Sequence, residues 1–208
     1  MNAFVLAGGQ STRMGRDKAL LHLGGLPLIE HALAKLGALG FSPAIVGSRP
    51  DLARFAPVIS DNFSHLGPLG GIEAALAASD AEQNLFLAVD LPWLPVDFLQ
   101  WMMERANCTD ALATIPRFQG LPQPLCAVYR RAMLPHIKAA LLQGDAKVMR
   151  AAERAAAGTG LRIDDFNIES VAAAQSWSQP IPLRCWYQNL NTPDDLKKAV
   201  LEHSPRIQ

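Results

Sequence analysis

The sequence predicts an α/β fold built on a doubly wound, mostly parallel sheet. Strand-like apolar runs alternate with helical stretches through the first half of the chain. The runs are apolar throughout instead of alternating, as strands covered on both faces are. Three of them end abruptly in glycine or aspartate, where such sheets bind their ligands. Residues 2–7 (NAFVLA) form the first strand and stop at a glycine pair. Residues 27–39 follow as a helix, with Leu28, Ile29, Ala32, Leu33 and Leu36 on one face, Pro27 in the first turn and Gly40 as the stop. Residues 44–46 and 57–60 (PVIS) read as the second and third strands, and the Ala-rich residues 69–78 as a helix. Residues 84–89 (NLFLAV) are the clearest strand and end at Asp90. A Pro92-x-x-Pro95 turn then leads into a helix over 96–106.

The second half is less regular. Residues 110–115 and 123–129 read as two more strands, and 130–142 and 146–157 as helices. Residues 163–183, with Trp177, read as a looser region. Residues 192–202 close as a helix, with Thr192 as N-cap and Pro193 at the first position. There is no internal repeat. The economical division is a single domain over 1–208, with a regular half of about 1–106 and a less regular half of about 107–208.

Composition narrows the function classes. The 208 residues carry 19 Lys+Arg and 19 Asp+Glu, a formal net charge of zero, which argues against a nucleic-acid binder. Half the residues are apolar, which argues against disorder. No run approaches the roughly 18 apolar residues of a membrane span. The opening MNAFVLAGGQ lacks the basic stretch of a signal peptide. Cys108, Cys126 and Cys185 are far apart with no CxxC pair, so neither a zinc knuckle nor a redox pair is expected. A cytoplasmic protein without nucleic-acid or membrane partners is the expectation.

The strongest chemical signal is the run from Leu6 to Lys18, LAGGQSTRMGRDK. Gly8 and Gly9 let the backbone turn and approach a ligand, while Ser11, Thr12, Arg13, Arg16 and Lys18 supply donors and cations. Fixed N–H dipoles with mobile cations suit a polyphosphate. The run is neither a Walker A loop nor a GxGxxG fingerprint. The duller reading is a connecting glycine loop.

This run resembles the opening motif of nucleotidyltransferases with a Rossmann-like, three-layer fold and a mostly parallel central sheet. It is most similar to the molybdenum cofactor guanylyltransferases of the MobA type. The similarity continues through Asp61, Gly67-Pro68-Leu69-Gly70-Gly71, Asp90-Leu91-Pro92-Trp93-Leu94-Pro95, Gln123-Pro124-Leu125 and Asn189-Leu190-Asn191-Thr192-Pro193-Asp194-Asp195-Leu196, in the family's order. The resemblance implies GTP and molybdopterin, or its molybdenum form, as substrates and Mg²⁺ as cofactor. It implies that Leu6, Ala7, Gly8 and Gly9 hold the guanine and ribose, and that Asp61 contacts the base or ribose. Arg13 and Lys18 would neutralise the triphosphate, Asp90 would bind the metal, and Asn189 and Asn191 would lie near the pterin phosphate. It further implies transient contacts with molybdoenzymes or cofactor carriers.

Nucleotidyl transfer also suits the residues on chemical grounds. Attack of a phosphate monoester on an α-phosphorus joins two polyanions, so cations and not a protein nucleophile are required. Other readings stay open. Asp90 also reads as the cap of the Leu91-Pro92 turn, Asp61-Asn62 as an Asx turn, and Asn191 as part of the helix start. Met14 reads as a core plug. Arg49-Pro50 reads as ligand-facing or as a surface turn. Val46-Gly47-Ser48 departs from the family's asparagine after the second strand. The Trp177 and Trp186 segment has no family counterpart and reads as a packed lid or a contact surface. Cytidylyl transfer, a sugar-phosphate acceptor, and a non-catalytic nucleotide-binding regulator or cofactor chaperone are the alternatives.

Overall fold

Side chains on the central strands point alternately to two apolar layers, so helices must cover both faces of the sheet. The computed structural model describes residues 1–8, 17–175, 177 and 181–188. The chain begins with β1 (Asn2–Leu6), a small hairpin of β2 (His22–Leu23) and β3 (Leu26–Pro27), α1 (Leu28–Ala38), β4 (Ala44–Val46) and β5 (Val58–Ile59). It continues through α2 (Gly67–Ala78), β6 (Gln83–Ala88), α3 (Val96–Asn107), β7 (Ala113–Phe118), β8 (Leu121–Pro122) and β9 (Cys126–Arg130). Then follow α4 (Leu134–Leu142), α5 (Val148–Thr159), β10 (Ile163–Asn167) and α6 (Ile168–Ala174).

The main sheet has the order β10-β7-β9-β6-β1-β4-β5, with β8 paired to β7. β1 runs parallel to β4 and β6, β4 to β5, and β7 to β10. β9 is reversed between β6 and β7. The mostly parallel α/β sheet is therefore present. On β1, Ala3 and Val5 pack with α1 and α3, while Phe4 and Leu6 pack with α2. Val128 and Ala127 on β9 divide in the same way. Two cores result, one per face, and the sheet lies between two helical layers.

Register puts Leu6 opposite both Val46 and Ala88, so β1, β4 and β6 end together on one edge. The backbone ladder runs slightly past them: Ala7 N donates to Val46 O at 3.0 Å, and Val89 N to Leu6 O at 3.1 Å. This edge is where the glycine run and the two aspartates emerge.

Where they are described, residues 163–183 are more ordered than a loose region. They hold β10 and α6, and a short 3-10 turn follows at Leu183–Cys185. The reason is charge pairing that the string IDDFN conceals. Asp164 is only 3% exposed, yet it accepts two hydrogen bonds of 2.7 Å from Arg105 on α3. Asp165 pairs with Arg117 on the neighbouring β7. Phe166 on the same strand enters the core. The segment 181–188 also packs inward. Trp186 lies 5.4 Å from Phe98 and 5.7 Å from Trp177, and Trp186 Nε1 donates to Ile181 O. Of the two readings for this region, the packed one describes Cys185, Trp186 and Tyr187, all buried. Strand β9 begins at Cys126 instead of Gln123, because Cys126 N donates back to Gln123 O and closes a turn. The predicted helix over 192–202 lies outside the described residues. None of the helices among the described residues is long and apolar enough to cross a membrane.

Candidate active site

The shared edge of β1, β4 and β6 opens into a cleft of about 320 Å³. Its walls include Leu6, Ala7 and Gly8 after β1, Asp61 after β5, Gly71 in α2, and Val89 and Asp90 after β6. Residues distant in sequence meet here because parallel strands end on the same side. Of the predicted site residues, Leu6, Ala7, Gly8, Lys18, Asp61 and Asp90 all line this one cleft. Gly9, Arg13, Asn189 and Asn191 lie outside the described residues, as do Ser11, Thr12, Met14 and Arg16.

Two backbones touch at the mouth. A Cβ built on Gly47 would stand 2.8 Å from both Cα and N of Gly8. Gly47 also has φ +134°, a conformation that side chains disfavour. Val46-Gly47-Ser48 therefore carries a glycine for a steric reason, since it lets the loop after β1 lie against the loop after β4. Deeper in, a Cβ on Gly71 would stand 3.1 Å from Val46 Cγ1 and 3.4 Å from Asp61 Oδ1. The glycine in α2 keeps this part of the cleft floor low. Helix α2 begins at the cleft with Gly67 and Pro68, and no side chain caps its first turn. Its N-terminal dipole therefore favours negative charge here.

Lys18 and Asp90 form the charged centre. Lys18 Nζ lies 3.4 Å from Asp90 Oδ2, and both side chains remain partly exposed toward the cleft. Asp61 differs. Its Oδ1 is buried and has no hydrogen-bond partner among the described residues, and burial pushes its carboxyl above the usual carboxylate range. An acceptor held this way suits an N–H or O–H donor from a ligand. Its neighbour Asn62 donates to Glu73 Oε2 at 2.9 Å. Glu73 is fully buried on α2 and lies 3.5 Å from Lys138 on α4. The Asp61-Asn62 corner is thus tied to the helix beneath it.

Among the described residues there is no cluster of three or more His, Cys, Asp or Glu suited to a metal. Mg²⁺ does not require one: it commonly uses one or two carboxylates, with phosphate and water completing the shell. Asp90, partly exposed on the cleft wall, fits that donor set. Beside Leu125 of the wall, burial pushes the Cys126 thiol up to about 12, so it is held in its neutral form.

Arg49 fits neither reading that the sequence left open. It is 9% exposed, so it is no surface turn, and its guanidinium grips Asp17 and Asp51. The one signal available in sequence was Asp17 itself, a carboxylate directly before the candidate phosphate lysine. Glu73 gave less: an acid in an Ala-rich helix reads as a solvated position.

Comparisons with known proteins point to one family. Residues 3–157 match the MobA-like NTP transferase domain. A probable molybdenum cofactor guanylyltransferase of Carboxydothermus hydrogenoformans is 35% identical over 146 residues, 70% of this chain and 73% of that protein. The molybdenum cofactor guanylyltransferase of Vibrio cholerae is 31% identical over 203 residues, 96% of this chain and 91% of that one. Among solved structures, molybdopterin-guanine dinucleotide biosynthesis protein A from Archaeoglobus fulgidus superposes with a TM-score of 0.76 at 28% identity, covering 96% of each chain. With the family's domain matched over residues 3–157, most of its length, this chain belongs to the MobA-like NTP transferase family.

Proposed function

We propose that the protein transfers GMP from GTP to the terminal phosphate of molybdopterin or the molybdenum cofactor, giving a guanine dinucleotide cofactor and pyrophosphate. The observation that carries the reading is the Lys18–Asp90 pair in a cleft also lined by Asp61, whose buried Oδ1 has no partner among the described residues. Membership of the family, with relatives named for this activity, supports the choice of substrates.

The residues divide the work by position. Leu6, Ala7, Gly8 and Gly9 bring bare backbone to the guanine and ribose. Asp61 Oδ1 accepts a hydrogen bond from the base or ribose, and so pins the nucleoside end. Lys18, with Arg13, holds the phosphate end and stabilises charge that grows on the α-phosphoryl group during transfer. An oxygen of the acceptor phosphate attacks the α-phosphorus, the bond to the β-phosphate oxygen breaks, and pyrophosphate leaves with the electron pair. That acceptor is already ionised, so no general base is needed. Asn189 and Asn191 are assigned to the acceptor phosphate. Asp90 would hold Mg²⁺, which when bound supplies further neutralisation of the triphosphate. A cytoplasmic location and transient contact with molybdoenzymes or cofactor carriers complete the reading.

The decisive assay combines the protein, Mg²⁺ and molybdopterin with each of the four NTPs, and measures pyrophosphate. Release with GTP alone is expected. Release with CTP alone would reassign the nucleotide, and tight GTP binding without release would leave a regulator or chaperone. Asp90→Ala should abolish turnover without unfolding the protein. Lys18→Ala should lower kcat by about 10²-fold or more, the scale of losing one preorganised charge.

A further inference from the structure

We propose that Arg49 is a positioning residue for nucleotidyl transfer, clamping Asp17 so that the turn behind it presents Lys18 to the cleft beside Asp90. The inference rests on the function proposed above and adds a residue to it.

The geometry forms one continuous chain of contacts. Arg49 Nη1 donates to Asp17 Oδ1 at 3.0 Å, and Nη2 donates to Asp17 Oδ2. Its other edge holds Asp51, with Nε donating to Oδ1 at 2.9 Å and Nη2 to Oδ2 at 2.6 Å. Four hydrogen bonds therefore join the guanidinium to two carboxylates. Arg49 faces protein, and its flat fork suits this double grip as a lysine would not. Its own backbone is fixed, since Arg49 N donates to Gly47 O at 2.7 Å, and Gly47 lies against Gly8.

Asp17 passes the constraint on. The oxygen that meets Nη1 also accepts from Ala19 N at 3.0 Å, and so caps a 3-10 turn over Lys18–Leu20. Ala19 is buried, and Leu21 N closes the turn onto Lys18 O at 3.1 Å. Lys18 thus sits between a clamped aspartate and a buried alanine, and its side chain leaves this rigid stub toward Asp90. Without the clamp, Asp17 loses its tie to the segment after β4, and the base of Lys18 is free to shift. A displacement near 1 Å of a charged group at the reacting centre costs about 10²-fold in rate.

The test separates positioning from plain stability. Arg49→Gln is expected to lower kcat with GTP by about tenfold or more, while affinity for guanosine, which carries no phosphate, stays within about twofold. Combined with Lys18→Ala, it should add less than about threefold, because the residue it positions is gone. Asp17→Asn keeps an oxygen for Ala19 N–H but weakens the guanidinium contact. It should reproduce the loss, and it serves as the test if Arg49→Gln fails to fold. Losses that multiply in the double variant, an equal fall in guanosine affinity, or undiminished kcat in Asp17→Asn would each overturn the inference. The same cycle read by GTP affinity in calorimetry needs no turnover. If the wild-type protein releases no pyrophosphate, the proposed function fails while the clamp is still judged on binding.

Discussion

Asp61 carries a stability cost that its proposed role in binding would explain. Its Oδ1 is buried without a partner among the described residues, and burial raises its pKa. A carboxyl raised in the fold binds protons more readily there than in the unfolded chain, so its ionised form costs stability above the carboxylate range. That cost fades as pH falls toward the unfolded value near about 4. Asp61→Asn should therefore raise the melting temperature of the ligand-free protein at pH 7, and the gain should shrink in scans toward pH 4. The same variant should weaken GTP binding, since an amide is a poorer acceptor than a carboxylate for a nucleoside donor. A variant neither more stable nor weaker in binding would show Asp61 to be a solvated turn residue. Gly47 makes the opposite point, because its constraint is purely steric. Gly47→Ala forces a Cβ onto the backbone of Gly8 at positive φ. It should cost about 1–3 kcal/mol in chemical denaturation and weaken nucleotide binding through a displaced Gly8.

At the level of elements, β10 and α3 carry the least obvious part of the fold. Arg105 leaves α3, holds Asp164 with two hydrogen bonds and lies 5.0 Å over the Phe166 ring. Removing the cation leaves a nearly fully buried carboxylate with Arg162, at 3.3 Å, as its remaining charged partner among the described residues. Arg105→Ala should destabilise by about 3–5 kcal/mol, while Asp164→Asn, which keeps the shape and drops the charge, should cost less. Urea unfolding of the two variants checks the order. The pair also explains why this stretch misled the sequence reading. Periodicity reports apolar faces, and IDDFN buries a charged residue whose partner lies on α3. By contrast, the runs at 2–7 and 84–89 were legible as strands because they are apolar throughout and stop at a glycine pair and an aspartate. Asp61 and Asp90 were legible as candidates because each follows a strand at its carboxyl end, and Lys18 because it closes the glycine run with its cations. Arg49 was not, because two aspartates claim its guanidinium and only one of them is a neighbour in sequence.

For the molecule as a whole, a net charge of zero conceals a polarised cleft. Lys18 lies against Asp90, the start of α2 adds its dipole, and Asp61 lines the same cleft with a buried Oδ1. Binding therefore depends on local placement and not on an average field. The walls come from segments after β1, β5 and β6 and from α2, so a bound nucleotide links several elements and should stabilise all of them together. At a GTP concentration 100 times Kd, linkage gives about 2.7 kcal/mol. For a chain of this size that corresponds to a rise of about 5–11 °C in Tm. Two variants separate site from scaffold in the same scan. Lys18→Ala should leave the ligand-free Tm nearly unchanged and shrink the GTP-induced rise. Asp164→Asn should lower the starting Tm and keep the rise at GTP held to the same multiple of Kd. If both variants lose the rise equally, the cleft is not an independent binding unit and the strand ends do not act as a preformed site. If GTP and ATP raise Tm equally at equal concentration, backbone and phosphate contacts dominate, and the guanine is not read at Asp61.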